Sequence, residues 1–167
     1  MEIANKLFNF LLGVLFFCFA FFFLDYFEVL LIKHEKFKSL IYFGLLISSL
    51  FSFLLLYTSS YSKKLKILFS LLPITSIIFI LKIGILNFIF SISTWKTQTI
   101  LYQNKENSSL KVEFQMLDIG FAGYHKREVE IHYFTNWFYT FKPRSKNYEP
   151  SKWNTINQEV NELNLVY

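Results

Sequence analysis

Three long apolar runs fill the first half of the chain, and a shorter alternating pattern follows them. We predict helices over about residues 7–27, 39–57 and 67–92, which carry very little charge. A helix of about 18 or more apolar residues is long enough to cross the ~30 Å hydrocarbon core of a bilayer. Residues 1–94 are therefore predicted to form a three-helix transmembrane region.

The pattern changes near Trp95 to one that is typical of a half-buried β-sheet. Residues 110–116 alternate between apolar and polar side chains, which is the period of a strand with one buried face. A second alternating run covers 124–133, and two glycines lie between the runs, within 118–123. Glycines in that position are typical of a tight turn, so we predict a hairpin.

The rest of the tail is predicted to complete a small α+β domain over 95–167. Further strands are expected over 97–102 and 135–141, the latter followed by a turn at 142–145. In the last segment the apolar side chains recur at helical spacing, and Ser151 or Asn154 can cap the helix. These apolar residues are Trp153, Ile156, Val160 and Leu163. The predicted fold is thus a membrane anchor followed by an antiparallel sheet covered by a C-terminal helix.

The net charge of +5 does not indicate a nucleic-acid-binding protein, because the lysines cluster beside the ends of the apolar runs. That is where lysines meet lipid head groups. The clustered residues are Lys6, Lys33, Lys36, Lys38, Lys63, Lys64 and Lys66. The partners expected from this distribution are the lipid bilayer and another membrane or extracytoplasmic protein.

The orientation prediction depends on the loop between the second and third runs. Residues 58–66 form a short loop that contains lysines and no acidic residue, and such loops stay in the cytoplasm. We therefore expect a multi-pass protein of the cell membrane whose N-terminus is inside and whose tail is outside the cytoplasm.

A stripe of small residues in the second run predicts close helix packing. Gly44, Ser48 and Ser52 recur at intervals of four, and small residues at this spacing allow helix backbones to approach each other. The partner helix could belong to this chain or to another protein. Cys18 is the single cysteine and is interpreted as a small apolar side chain in the first run.

Lys82 is the charged residue inside the third run, and three roles are open for it. Its flexible stem can reach the nearer interface, or its ammonium group can pair with Asp25 or Glu28, which fall at a similar depth. A charge within the membrane can also belong to a transport pathway.

The tail carries aromatic residues on both faces of one segment. Tyr133, Trp137, Tyr139 and Phe141 lie within nine residues of the sequence. One face can meet the predicted C-terminal helix, and the other either docks on a partner or belongs to an ordinary sheet core, because a domain this small has little core of its own. The candidates for covering the second face are the lipid head groups, the loop over 25–39, or another protein.

Candidate chemistry is sparse, and the prediction is that the protein is not an enzyme. Asp118, His125 and Arg127 around the predicted hairpin turn are the one cluster that we would test for catalysis. His125 and His132 are seven residues apart, so on one strand they point to opposite faces and cannot hold a metal together. No cofactor or metal site is predicted.

The function expected from these patterns is that of an interaction protein. The leading hypothesis is a non-enzymatic accessory subunit of a membrane complex, or an immunity-type protein, that binds its partner through the tail. The alternative is a small transporter or channel subunit that uses Lys82.

Overall fold

The computed structural model describes residues 2–144 and 150–165. Its helices are α1 (Glu2–Tyr26), α2 (Glu35–Thr58), α3 (Lys63–Ile83) and α4 (Ile85–Phe90). Its strands are β1 (Leu31–Ile32), β2 (Lys96–Asn104), β3 (Leu110–Asp118), β4 (Tyr124–Tyr133), β5 (Phe138–Pro143) and β6 (Trp153–Glu159). Short 3₁₀ turns cover Gly120–Ala122 and Pro150–Lys152.

The chain divides into two compact units. The helical unit contains residues 1–27 and 36–92, and the sheet unit contains residues 28–35 and 93–167. The segment between α1 and α2 therefore belongs to the sheet unit, although it lies far from the rest of that unit in the sequence. A single boundary near residue 94 would assign residues 28–35 to the helical region, whereas they belong to the sheet unit.

Three helices of the helical unit are long and apolar enough to cross a membrane. Asn5–Tyr26, Glu35–Thr58 and Lys63–Ile83 have mean hydropathies of 2.6, 2.2 and 2.0. Large apolar side chains cover the outside of these helices; Phe10, for example, is 67% exposed. An apolar exterior of this kind is typical of helices that face lipid.

The interior of the helical unit is built around the aromatic ring of Phe22. This ring on α1 is fully buried and lies 4.9 Å from the ring of Tyr42 on α2 and 5.9 Å from that of Phe79 on α3. It is also 5.6 Å from the ring of Phe88 on α4. One side chain thus brings all four helices together through edge-to-face and tilted ring contacts, which are favourable beyond their buried area.

The third apolar run is not one continuous helix. It begins at Lys63 and is interrupted at Gly84, whose φ is +89°. Glycine adopts this left-handed backbone without the steric cost of a Cβ atom, so it ends helices readily. The backbone N–H of Gly84 still donates to the carbonyls of Ile80 and Leu81, and the Gly84 carbonyl accepts the N–H of Phe88 at the start of α4.

The small residues of α2 pack within this chain. Ser48 and Ser52 are buried, and a Cβ atom built on Gly44 would lie 2.8 Å from the Sγ atom of Cys18 on α1. A Cβ contact below 3.0 Å requires a neighbouring atom to move. The absence of a side chain at Gly44 therefore allows α1 and α2 to approach closely, and α1 is the partner of the stripe at this position.

We expect Gly44→Leu to lower the stability of the helical unit by about 2 kcal/mol, because overpacking a close contact forces side chains and backbone apart. The measurement is thermal unfolding of the full chain in a mild detergent. The matched control is Gly13→Leu on α1, where a Cβ atom meets nothing within 4 Å. Equal losses in both variants would contradict the close approach at Gly44.

The sheet unit is a six-stranded antiparallel sheet with the strand order β1-β5-β4-β3-β2-β6. The predicted hairpin over 110–133 is present as β3 and β4, and the turn lies at Ile119–Gly123, where Ile119 N–H donates to the Gly123 carbonyl. Strand β1 pairs with β5 through Leu31 and Ile32. The loop between α1 and α2, one of the three candidates for covering the second aromatic face, thus forms an edge strand of the sheet.

The buried cluster of the sheet unit depends on that inserted strand. Leu31 packs with Val129, Ile131 and Tyr139, and all four side chains are at most 6% exposed. Tyr133 and Phe141 pack against this cluster from the side. The core of the predicted tail domain therefore contains a residue that lies outside the tail in sequence.

The predicted C-terminal helix is wrong. Trp153–Glu159 forms strand β6, which pairs with the outer edge of β2. Asparagines at 154, 157 and 161 are weak helix formers, whereas the open edge of β2 offers unpaired backbone groups. A register shift opposite Ile100–Tyr102 is accommodated by Asn157, whose φ is +47°.

The strand expected over 135–141 starts three residues later. The hydroxyl of Thr135 accepts hydrogen bonds from the N–H groups of Trp137 and Phe138, which forms a local turn. This side-chain bonding competes with strand pairing, so β5 begins at Phe138. The expected turn at 142–145 lies partly in the end of β5 and partly outside the described residues.

Candidate functional site

A buried polar cluster occupies one face of the sheet. Gln115 pairs with Arg127 across β3 and β4, and with Thr97 across β2 and β3, so these side chains share a face with Glu113. Glu113 is 2% exposed and Gln115 is 1% exposed. Polar groups at this depth must be hydrogen-bonded to be tolerated.

The Glu113 carboxylate satisfies this requirement through three donors. It accepts hydrogen bonds from Thr97 Oγ1 at 2.7 Å, from the Tyr133 hydroxyl at 3.0 Å and from Gln115 Nε2 at 3.2 Å. Burial, with the adjacent negative charge of Glu113, raises the pKa of Tyr133 above its ordinary value. The tyrosine therefore stays a neutral hydrogen-bond donor.

Arg127 is the second polar group inside the sheet unit. Its guanidinium lies 4.0 Å from the centre of the Trp95 ring and 4.3 Å from that of Phe141. Nε and Nη2 both donate to Gln115 Oε1, at 3.0 and 2.8 Å. Burial lowers the pKa of Arg127, while Tyr139 and Glu28 act in the opposite direction. These contacts point to a structural role.

The cluster of Asp118, His125 and Arg127 considered for catalysis is not assembled. Asp118 pairs with Tyr124 and so lies on the opposite face of the sheet from His125 and Arg127. Its Oδ1 atom accepts a hydrogen bond from the N–H of Gly120, which closes the hairpin turn. Arg127 donates to Gln115 inside the sheet unit. The three side chains therefore do not converge on one point where a substrate could react.

The predicted aromatic surface divides into an interior part and an exposed part. Tyr139 is 2% exposed, and Tyr133 and Phe141 pack against the same cluster. Trp137 is 49% exposed, and Phe134 beside it is 56% exposed. The aromatic surface that remains accessible is therefore the tip of the β4–β5 hairpin.

The helical unit contains a buried ion pair that the sequence did not indicate. Lys38 Nζ lies 3.0 Å from Asp25 Oδ2, and the side chains are 10% and 1% exposed. The Tyr42 hydroxyl donates to the same oxygen at 2.7 Å. Asp25 was one candidate partner for Lys82, but its carboxylate pairs with Lys38 on α2. The i, i+4 spacing of Lys38 and Tyr42, on one helix face, is the signal that could have shown this pair.

Lys82 lies in the last turn of α3 and is exposed. Within residues 2–144 and 150–165, no carboxylate oxygen is recorded within ion-pair distance of its ammonium group. Glu28 is likewise exposed and follows the end of α1 with a φ of +57°. Among the described residues, Lys82 and Asp25 therefore form no ion pair with each other.

In the part of the chain that the structure describes, no three His, Cys, Asp or Glu side chains lie close enough together to hold a metal ion. His34 instead packs against the Trp137 ring at 4.9 Å, and His132 against the Phe134 ring at 4.6 Å. In comparisons with protein-family models, curated proteins and solved structures, no match to this chain was found.

Proposed function

We propose that this chain is a non-enzymatic integral membrane protein that acts as an accessory or interaction subunit. Its three apolar helices anchor it in the cell membrane, and its sheet unit binds another membrane or extracytoplasmic protein on the outer side. The observation that carries this proposal is the exposed aromatic tip of the β4–β5 hairpin, Phe134 and Trp137.

The hairpin tip fits a binding role because it is held in a fixed shape. Thr135 Oγ1 accepts two backbone N–H groups within the turn, and Trp137 O accepts from the N–H of Lys33. Aromatic side chains on a rigid turn contribute large contact area at low entropic cost, which is why they are enriched at protein interfaces. The buried neighbour Tyr139 anchors the strand behind them.

The proposed orientation is supported by two observations. Pairing of β1 with β5 joins the loop between α1 and α2 to the tail, which a three-span topology places on one side of the bilayer. The opposite segment, residues 58–66, is short, contains no acidic residue and carries Lys63, Lys64 and Lys66 in the first turn of α3. A short basic loop favours the cytoplasmic side.

The experiment is capture of the tagged full-length chain from membranes of its own cell in a mild detergent, followed by identification of bound chains. We expect one chain to be retained in stoichiometric amount, and Phe134→Ala with Trp137→Ala to reduce its recovery at least about tenfold, as loss of central aromatic contacts does.

The matched control is Phe121→Ala, because Phe121 is fully exposed in the other turn of the sheet unit. This variant should retain the bound chain at the level of the unchanged protein. A wild-type chain that retains no stoichiometric partner would contradict the proposal, and so would equal recovery with all variants.

The transporter or channel alternative stays a prediction from the sequence. It depends on Lys82 acting inside the membrane, whereas Lys82 lies in the last turn of α3, one residue before the helix ends at Ile83. A lysine stem can carry its charge towards an interface, and within the described residues no ion pair of Lys82 favours the alternative over the interaction role.

A further inference from the structure

A cleft lined by both polar and aromatic residues opens in the sheet unit beside the inserted strand. Its volume is about 610 Å³, and it is lined by side chains from the loop after β1, the turn before β3 and the β4–β5 hairpin. This volume lies within the range of about 300–1,000 Å³ that small-molecule sites occupy. The groups that bear on its chemistry are Lys33, His34, Ser109, Lys111, Thr135 and Asn136.

The cleft is cationic. Lys33 and Lys111 contribute two ammonium groups, and no carboxylate belongs to the lining that the structure describes. The two ammonium groups lie 4.9 and 6.0 Å from the centre of the Tyr133 ring. Both lysines therefore lie beside the same lining residue, and an anion bound in the cleft near either ammonium group is attracted to it.

Lys33 is held in place without losing its capacity to bind. Glu162 Oε1 lies 3.3 Å from its Nζ atom, while Glu162 Oε2 accepts from the N–H of Thr97. An ammonium group has three donors, so one contact with Glu162 leaves two for a ligand. The carboxylate thus fixes the position of the lysine beside the cleft.

From these contacts we propose that the cleft binds a phosphate-bearing group. A tetrahedral phosphate has several acceptor oxygens, and lysines with hydroxyl and amide donors around it are a suitable set. The phosphate could belong to a lipid head group or to a small soluble compound. His34 immediately precedes the first residue of α2, a helix apolar enough to cross a membrane, and this adjacency in the sequence is the reason to test a lipid head group beside a soluble phosphate.

The test uses the full-length chain in a non-ionic detergent and does not depend on the proposed protein partner. Inorganic phosphate is titrated and followed by ³¹P line broadening. Native mass spectrometry then measures bound phosphatidylglycerol against phosphatidylcholine. Lys33→Gln with Lys111→Gln should weaken phosphate binding at least about tenfold, because hydrogen bonds to charged groups are lost. Lys111→Gln alone should give a smaller loss with unchanged thermal unfolding.

The matched control is Lys126→Gln with Lys142→Gln, which removes the same charge from two exposed positions of the sheet. Preferential binding of phosphatidylglycerol that inorganic phosphate displaces would support the site with a lipid head group as its ligand. Phosphate binding without a lipid preference would support it with a soluble phosphate compound. The proposal is overturned if neither probe binds, or if the control variant weakens binding as much as the cleft variant.

Discussion

Asp25→Ala is expected to destabilise the helical unit by about 3–5 kcal/mol, since removing one member of a buried ion pair leaves the other charge uncompensated. Asp25 and Lys38 are 3.0 Å apart and nearly inaccessible to solvent. Each charge also lies at the unfavourable end of its helix dipole, near the end of α1 and the start of α2. The measurement is thermal unfolding of the full chain in a mild detergent.

Two further variants separate the ion pair from a general charge effect. Glu35→Ala removes an ion pair with Lys96 of similar length, 3.3 Å, in which Glu35 is 54% exposed, and it should cost less than about 1 kcal/mol. Asp25→Leu with Lys38→Met replaces both charges and should recover much of the loss. If Asp25→Ala costs no more than Glu35→Ala, the buried pair does not stabilise the unit.

The helices and the central hairpin could be predicted because their patterns are local. An apolar run of about 20 residues is long enough to predict a membrane-spanning helix, although the break at Gly84 within the third run was not predicted. The alternation over 110–133 likewise fixes β3, β4 and the turn between them, and the structure has them in register from Leu110↔His132 to Asp118↔Tyr124. In both cases the information lies within the segment itself.

The outer strands could not be predicted because they depend on distant partners. Trp153–Glu159 is mostly exposed and has no strand alternation, and it becomes β6 because the edge of β2 accepts it. Leu31 and Ile32 form only a two-residue strand, which is a strand because it pairs with β5. Tertiary pairing overrides weak local preference at both edges of the sheet.

An ion pair with Asp25 was one of the three roles open for Lys82, and Asp25 pairs elsewhere for a geometric reason. Counting residues along a helix gives the depth of a side chain but not the direction in which it points around the axis. Depth placed Asp25 near Lys82, whereas the rotation of α1 directs Asp25 towards Lys38 and Tyr42 on α2. That direction depends on how the helices pack against each other, which the sequence pattern does not show.

Arg127→Ala should destabilise the sheet unit by about 3 kcal/mol, because it removes cation–π contacts and leaves a buried acceptor unsatisfied. The guanidinium contacts both Trp95 and Phe141, and Gln115 Oε1 receives two of its donors. Arg127→Lys keeps the charge but loses the planar pair of N–H donors that contacts Gln115. We expect this variant to lower the stability of the sheet unit by about 2 kcal/mol. Unfolding is followed by the fluorescence of Trp95 after Trp137 and Trp153 are replaced by Phe.

Arg144→Lys is the matched control for the role of the guanidinium. Arg144 pairs with Glu128, and its guanidinium lies 5.2 Å from the centre of the Tyr102 ring, but its side chain is 32% exposed. Water replaces much of what such a residue loses, so the change should be within about 0.5 kcal/mol. Similar losses at Arg127 and Arg144 would mean that burial does not strengthen the Arg127 contacts. A large loss confined to Arg127 would show that the sheet unit is held together by a polar interior as well as by its apolar cluster.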